Sequence, residues 1–124
     1  MREIKFRAKS IENDNWVYGY YVGEVDMFPP SIITEDGKSI PVIKETIGQY
    51  TGFDDKNGQE IYEDDIIRYS YSALHKYGCN IITEVRYLEN TGFYPFVMQY
   101  GRVDIEKLEI IGNKYDNPEL LEVW

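Results

Sequence analysis

The sequence predicts a mainly β fold, a single domain over residues 1–124 formed by a curved sheet or barrel of hairpins with a short C-terminal helical element. Short β-branched and aromatic runs alternate with turn-forming residues along the chain, and helical periodicity is scarce. Twelve Tyr, five Phe and two Trp supply large side chains for the core of a small β domain. The length of 124 residues is that of one domain.

The first two hairpins are indicated by their turns. Strand-like residues 4–8 and 16–22 flank the polar segment ENDN, and Gly19 within the second run predicts a bulge. The segment FPP then interrupts the pairing, because proline donates no backbone hydrogen bond. Asp36-Gly37 lies between two β-branched runs, which predicts a second hairpin.

The remainder of the chain predicts an acidic hairpin, further strands and a final helical turn. After the hairpin at 50–67 come the strand-like segments IIRYSYS, IITEVRYLEN and FYPFVMQY, with a turn at 90–92. A strand through 108–111 precedes a Gly-Asn turn. Asn117 can then cap, and Pro118 can begin, a short helical turn that ends at Leu121.

Charge and cysteine content restrict the partners and the compartment. The chain has 22 acidic against 13 basic residues, a formal net charge of −9, which argues against nucleic acid as a partner. A single Cys excludes an internal disulfide, and the start MREIKF lacks the apolar run of a secretory signal, so we expect a cytoplasmic protein. Apolar runs of membrane-spanning length are absent from the sequence, so we expect no membrane association.

Two patterns in the sequence could form binding surfaces. Alternation in REIKFRAK would place Lys5, Arg7 and Lys9 on one strand face, a weak basic candidate. The aromatic runs VYGYY, RYSYS and FYPFVMQY could stack on bases or sugars. A solvated strand face and core packing explain both patterns more simply. A shared aromatic face could also bury against a second copy, which makes a homo-oligomer an alternative.

The segment YTGFDDKNGQEIYEDDII is either a metal site or a turn. Aligning Gly58 with the invariant glycine of a calcium-binding EF-hand loop places Asp55 and Asn57 at ligand positions, but it puts Phe53, which cannot bind a cation, at the first position. Asp64 falls at the last position, with a shorter side chain than the bidentate Glu found there. The flanking segments have strand rather than helix composition. The sequence therefore predicts no metal and no cofactor, with Asp55, Asn57 and Asp65 as the candidate ligands if a metal binds.

A turn accounts for the same residues. The segment Asp55-Lys56-Asn57-Gly58 suits a type I turn with Gly58 left-handed as a bulge, which would set Phe53 opposite Ile61. A two-residue Asn57-Gly58 turn would instead set Phe53 opposite Tyr62, and the local sequence leaves this register open. The predicted structural turn motif comprises Thr51, Gly52, Asp55, Asn57, Gly58, Ile61 and Asp65.

Other candidate chemistry lacks essential parts. His75 and Cys79 lie four residues apart, but a structural zinc site takes four ligands and the chain holds one residue of each kind. Asp64 or Asp65 could hold magnesium with Glu60 or Glu63, as in nucleases, although adjacent strand residues point to opposite faces. Phosphate-binding glycine loops and nucleophile motifs are absent from the sequence. We therefore predict no catalytic residue.

Three segments resemble the YopX-like family of small phage and prophage proteins. They are the start MREIKFRA, the middle YTGFDDKNGQEIYEDDII and the end EIIGNKYDNPELL. The resemblance implies a mainly β, phage-encoded protein, and it implies no catalytic residues because the family supplies none. The chain departs from the family pattern at Lys9, where an aromatic residue is usual, and at Asp64, where Gly is usual. The departure at Asp64 argues against a tight, Gly-dependent backbone at that position.

These observations favour a non-enzymatic accessory protein that binds an unknown protein partner, which could come from the host. One alternative is a metal-dependent hydrolase or nuclease that uses carboxylates of the 50–67 hairpin, and it predicts that those carboxylates converge in a concave pocket. Another is an acidic mimic of nucleic acid that inhibits a host DNA-binding protein, and it predicts a contiguous carboxylate face.

Overall fold

The computed structural model describes residues 5–24, 27–70, 80–89, 91–96 and 108–121. Its strands are β1 Phe6–Lys9, β2 Trp16–Val22, β3 Ser31–Ile33, β4 Ser39–Pro41, β5 Gly48–Asp54, β6 Glu60–Tyr62, β7 Asp65–Ser70, β8 Asn80–Glu84, β9 Arg86–Leu88, β10 Gly92–Tyr94 and β11 Glu109–Asn113. Two 3₁₀ turns, η1 Lys44–Thr46 and η2 Pro118–Leu121, complete the described elements. The predicted mainly β fold and C-terminal helical turn are confirmed.

The chain divides into two compact units, Met1–Gly52 and Phe53–Trp124. The single domain of residues 1–124 stays a prediction. Among the helical segments that the structure describes, none has the length and apolar character needed to cross a membrane.

The first unit is an antiparallel sheet in the order β4-β3-β2-β1-β5. Just beyond β4, Val42 forms a bridge with Ser10, and the Ile43 N–H donates to the Lys9 carbonyl at 2.8 Å. The chain after the edge strand β4 therefore returns to the end of β1, so the sheet of this unit is strongly curved, as predicted.

One side of this sheet forms the core of the first unit. Ala8, Ile32 and Val42 are buried there, and Phe6, Val17, Tyr21 and Ile47 pack against them. Burying a side chain such as that of Ile32 or Val42 stabilises the fold by about 1.5–3 kcal/mol. Because strand side chains alternate between faces, Arg7 and Lys9 lie on the opposite side of β1 from the core residue Ala8.

Gly19 does not form the predicted bulge. It pairs with Phe6 in the unbroken register of β1 and β2. A Cβ atom at this position would lie 2.1 Å from the carbonyl oxygen of Ile33 on the neighbouring chain segment. Glycine is required here for a close approach of two backbones, a role that the local sequence does not distinguish from a bulge.

The second unit contains the sheet β11-β7-β8 and the hairpin β9-β10. Its core consists of Ile61, Ile67, Tyr69, Val85 and Leu108, with Ile81, Phe96 and Ile110 packed against them. The segment IITEVRYLEN, predicted as one strand, is divided at Val85, whose N–H donates to the Asp65 carbonyl at 2.8 Å. Residues before Val85 pair with β7 and those after it pair with β10.

Candidate functional site

The acidic hairpin contains a four-residue turn. The Gly58 N–H donates to the Asp55 carbonyl at 2.9 Å, and the Asp55 N–H donates to the Gln59 carbonyl at 2.8 Å. Gly58 has a φ of 80°, the left-handed conformation that closes this kind of turn. Continued along the two strands, this pairing sets Phe53 opposite Ile61, the first of the two registers that the sequence left open.

The Asp55 carboxylate lies at the centre of the turn and is 6% exposed. Its Oδ1 accepts the backbone N–H of Asn57 at 2.8 Å and of Gln59 at 3.0 Å. Its Oδ2 accepts the N–H of Ile110 on β11 at 3.1 Å. A buried carboxylate is tolerated when hydrogen bonds replace its water, and here three backbone donors do so. Asp55 therefore joins the two ends of the turn to a strand more than fifty residues away.

Lys56 makes a second connection between the turn and β11. Its N–H donates to the Leu108 carbonyl at 2.8 Å, and its Nζ lies 3.7 Å from Glu109 Oε2. Glu109 also accepts a hydrogen bond from Arg68, its cross-strand partner on β7. The Arg68 hydrogen bond, helped by the positive charges of Arg68 and Lys56, holds the pKa of the Glu109 carboxyl below its usual range.

Asp64 has a left-handed backbone with a φ of 77°, so the prediction that this position avoids such a conformation is wrong. The physical reason is tertiary. The Asp64 N–H donates to the Val85 carbonyl at 2.8 Å, and the Asp64 carbonyl accepts the Lys114 N–H at 3.0 Å. These two contacts fix the backbone although the residue is not glycine, for which this conformation costs nothing.

The side chain of Asp64 contacts the same C-terminal turn. Its Oδ2 accepts a hydrogen bond from the Tyr115 hydroxyl at 3.0 Å, and its Oδ1 lies 3.2 Å from Lys114 Nζ. Lys114 Nζ also lies 3.9 Å from Glu84 on β8. Asp64 thus connects the β6–β7 turn to residues 114–115, and the sequence indicated none of these contacts.

The other residues of the predicted turn motif have structural surroundings as well. Asp65 is 2% exposed, and its Oδ2 accepts the Tyr62 N–H at 2.7 Å across the β6–β7 turn. Ile61 is fully buried in the core of the second unit. Thr51 and Gly52 lie on β5 in the first unit, where Thr51 is buried and Gly52 has a φ of 91°.

The candidate metal ligands do not form a cluster. Asp55 and Asp65 bind backbone amides, and the described His, Cys, Asp and Glu residues include no group of three or more that could hold a metal ion. His75 and Cys79 lie outside the described residues. Metal binding by Asp55, Asn57 or Asp65 stays untested, as does the alternative of a hydrolase.

A second group of side chains lies on the outer face of the first unit. The pairing of β1 with β2 sets Arg7 opposite Tyr18 and Lys9 opposite Trp16. The Arg7 guanidinium lies 4.4 Å from the Trp16 ring centroid, and Lys9 Nζ lies 5.5 Å from it. The basic face and the aromatic run that the sequence suggested separately are therefore on one surface. Arg7 itself is buried, 6% exposed.

The fold and the hairpin together define a class of protein: a small, mainly β protein in which an acidic hairpin is held by its own backbone and by a C-terminal turn. Within that class the chain belongs to the YopX family, because the family model described as YopX protein matches residues 5–122. It is also similar to the crystal structure of protein EF1440 from Enterococcus faecalis, with 27% identity and a TM-score of 0.60 over 98% of this chain and 99% of that one. Among curated proteins, none matches the chain.

Proposed function

We propose that this protein is a non-enzymatic protein-interaction module, an accessory protein of a phage or prophage that acts in the cytoplasm of the host cell. The observation that carries the proposal is a set of exposed apolar side chains on the first unit. It consists of Tyr18, Tyr20 and Val22 on β2 and of Met27 and Phe28 in the loop that follows. We call these five residues the β2 surface.

The β2 surface is exposed to a degree that is unusual for such side chains. Tyr20 is 65% exposed, Phe28 73% and Met27 93%. On β2 the exposed residues alternate with Gly19 and the partly buried Tyr21, so they extend along one side of the strand. Aromatic residues and Met are enriched at the centres of protein interfaces, so their exposure along β2 and in the following loop supports a docking site.

Charge indicates what kind of partner would bind. Residues 1–52 carry six basic and eight acidic side chains, whereas residues 53–124 carry seven basic and fourteen acidic ones. A second copy would bring the same net charge of −9, and this like charge disfavours self-association. The partner is therefore a different protein, with an apolar patch that Lys or Arg residues surround, and its association is faster at low salt.

The acidic hairpin supports a structural rather than a catalytic role. Asp55 and Asp65 are buried, and each accepts at least one backbone N–H. A general base or a metal ligand must present a carboxylate oxygen to its substrate or ion. Asp55 and Asp65 are buried and bind backbone amides instead, so these two carboxylates support a structural role for the hairpin.

Site-specific photocrosslinking in the bacterial host tests the proposal. Benzoylphenylalanine replaces Tyr20 in one variant and Phe28 in another, and Ile11, which is 56% exposed in the β1–β2 turn, in a control. We expect one crosslinked protein to appear at positions 20 and 28 and not at position 11. That protein, once purified, should bind the wild-type chain at least about tenfold more tightly than Tyr20→Ser or Phe28→Ser, the effect of losing ~1.4 kcal/mol.

Three results would count against this function. The first is the absence of a crosslinked partner at both test positions. The second is a crosslinked species with twice the mass of the chain, which would show self-association instead. The third is equal affinity of the purified partner for the wild type, for Tyr20→Ser and for the control Ile11→Ser.

A further inference from the structure

A cavity of about 330 Å³ lies within the first unit, between the β1–β2 turn and the edge strand β4. Its walls include Trp16 and Val17 at the start of β2 and Ser39 to Pro41 on β4. Ligand cavities in proteins range from about 300 to 1,000 Å³, so this one has room for a single small molecule.

The lining combines one aromatic ring with several polar groups, of which one is a carboxylate. Glu12, Asn13 and Asn15 from the turn and Ser39 from β4 provide carboxylate, amide and hydroxyl groups next to the Trp16 ring. Such groups donate and accept hydrogen bonds in the mixture that sugar hydroxyls require. The apolar C–H face of a sugar ring packs on an indole ring, so the two features suit one ligand.

The charge of the cavity lining disfavours anionic ligands. Glu12 is the one charged residue among the described residues that line it. Phosphates and carboxylates are bound in proteins by Arg, Lys or converging backbone amides. Arg7 and Lys9 lie over the Trp16 ring but do not line the cavity. The lining itself therefore carries a single negative charge, which disfavours an anion and accepts a neutral ligand.

The walls are held in place before any ligand arrives. The Arg7 guanidinium lies 4.4 Å from the centroid of the Trp16 ring, and it restricts the orientation of that ring. Asn13 Oδ1 accepts the Asn15 N–H at 3.1 Å, which restricts the orientation of the Asn13 side chain. The Ser10 hydroxyl accepts the Glu12 N–H at 3.1 Å and fixes the base of the turn. A prearranged site loses little entropy when it binds.

From this geometry we propose that the cavity binds a neutral sugar ring, with Trp16 as the stacking platform and Glu12, Asn13 and Asn15 as hydrogen-bonding groups. The site shares no residue with the β2 surface and does not depend on the interaction proposed for it. An ordinary affinity for a single ring in an open cavity is a dissociation constant on the order of 1 mM.

Amide chemical-shift mapping of the full chain tests the proposal. The probes are the neutral disaccharides maltose, cellobiose, lactose and chitobiose, with glucose 6-phosphate and glucuronate as anionic counterparts. We expect at least one neutral probe to give saturable shifts confined to residues 10–17 and 39–41, and both anions to bind at least about tenfold more weakly.

Matched variants connect the shifts to the cavity. Ser39→Phe places a bulky ring in the cavity wall, whereas Glu35→Phe adds the same ring at an exposed turn residue outside the cavity. Glu12→Ala removes the carboxylate without touching the core. We expect Ser39→Phe and Glu12→Ala to weaken binding about tenfold or more, and Glu35→Phe to leave it unchanged.

The proposal is overturned by any of three results: none of the four neutral probes shifts residues 10–17 or 39–41, the anions bind as tightly as the neutral sugars, or Ser39→Phe binds as the wild type does. Because folding of each variant is read from the same spectra, a loss of binding through unfolding is recognised directly.

Discussion

The molecule contains two hairpin turns with the same local geometry but different surroundings. In the turn between β3 and β4, the Gly37 N–H donates to the Thr34 carbonyl, and the Thr34 N–H donates to the Lys38 carbonyl. The β5–β6 turn repeats this pattern from Asp55 to Gln59. In both, a side-chain oxygen of the first residue accepts the N–H of the fifth, at 3.2 Å from Thr34 and 3.0 Å from Asp55.

The two turns differ in the second oxygen of their first residue. The Thr34 side chain has one oxygen, and its contacts remain within residues 34–38. Asp55 has a second oxygen, which binds the Ile110 N–H, and its neighbour Lys56 binds Leu108. Local sequence is therefore enough to form either turn. The second carboxylate oxygen of Asp55 additionally connects its turn to a distant strand.

The largest expected effect is that of Asp55→Ala. It removes the acceptor of three backbone N–H groups, and a buried donor left without a partner costs about 1–3 kcal/mol. We expect the free energy of unfolding, measured by urea denaturation, to fall by roughly 3 kcal/mol. The isosteric change Asp55→Asn keeps one oxygen for the turn and should cost about half as much.

The matched control is Thr34→Ala in the other turn. It removes an acceptor whose donor, the Lys38 N–H, remains accessible to water, so the cost should be no more than about 0.5 kcal/mol. Equal losses for Thr34→Ala and Asp55→Ala would show that the contact with β11 contributes nothing. Faster amide exchange at Ile110 in both Asp55 variants, and not in Thr34→Ala, would locate the effect at the contact with β11.

The comparison also shows which parts of the molecule can be predicted from sequence. Both turns follow from local chemistry, because Asp-Gly and Asn-Gly between β-branched runs favour a hairpin whatever surrounds it. One of the three donors to the Asp55 carboxylate, the Ile110 N–H, is 55 residues away in the sequence. Local sequence has no information about such a contact. It could favour a turn over a metal loop, but it could not show what the Asp55 carboxylate binds.

Asp64 illustrates the same limit for the backbone. Its residue type argues against a left-handed conformation, yet contacts with Val85 and Lys114 impose one. The cavity beside Trp16 escaped prediction for a related reason. Its walls come from the β1–β2 turn and from β4, which lie more than twenty residues apart in the sequence, and neither segment alone has the pattern of a binding site.

Two substitutions of Asp64, in the β6–β7 turn, distinguish the cost of its left-handed backbone from the contribution of its side-chain contacts. Asp64→Ala keeps the left-handed backbone and loses the contacts with Lys114 and Tyr115, so we expect it to lower the free energy of unfolding by about 2 kcal/mol. Asp64→Gly loses the same contacts but relieves the strain, and it should be about 1–2 kcal/mol more stable than Asp64→Ala. Thermal denaturation of both variants measures the difference, and equal stabilities would show that the backbone at 64 is unstrained.

Replacing the glycine of either turn with Ala should lower the free energy of unfolding by a similar amount. Gly37 and Gly58 have φ values of 87° and 80°, and an added Cβ would meet nothing within 4 Å at either position. The cost of Gly37→Ala and Gly58→Ala is therefore the left-handed conformation alone, about 1 kcal/mol in each case by denaturant unfolding. A much larger loss for Gly58→Ala would mean that the contact with β11 also depends on this backbone, and that the two turns are not equivalent locally.

The smallest expected effect concerns the titration of the exposed turn. The Thr34 hydroxyl donates a hydrogen bond to Asp36 and, with the charge of Lys38, holds the pKa of the Asp36 carboxyl below its ordinary value of 3.8. Because the pKa is lower in the folded chain, the stabilisation is present above pH 3.8 and is lost as the pH falls through the folded value. In Thr34→Val we expect an NMR titration to show the pKa of Asp36 moving up towards 3.8, while the lowered pKa of Glu109, which Arg68 holds down in the other unit, stays where it is. A change in the pKa of both carboxyls would mean that the effect of Thr34 is not confined to the exposed turn.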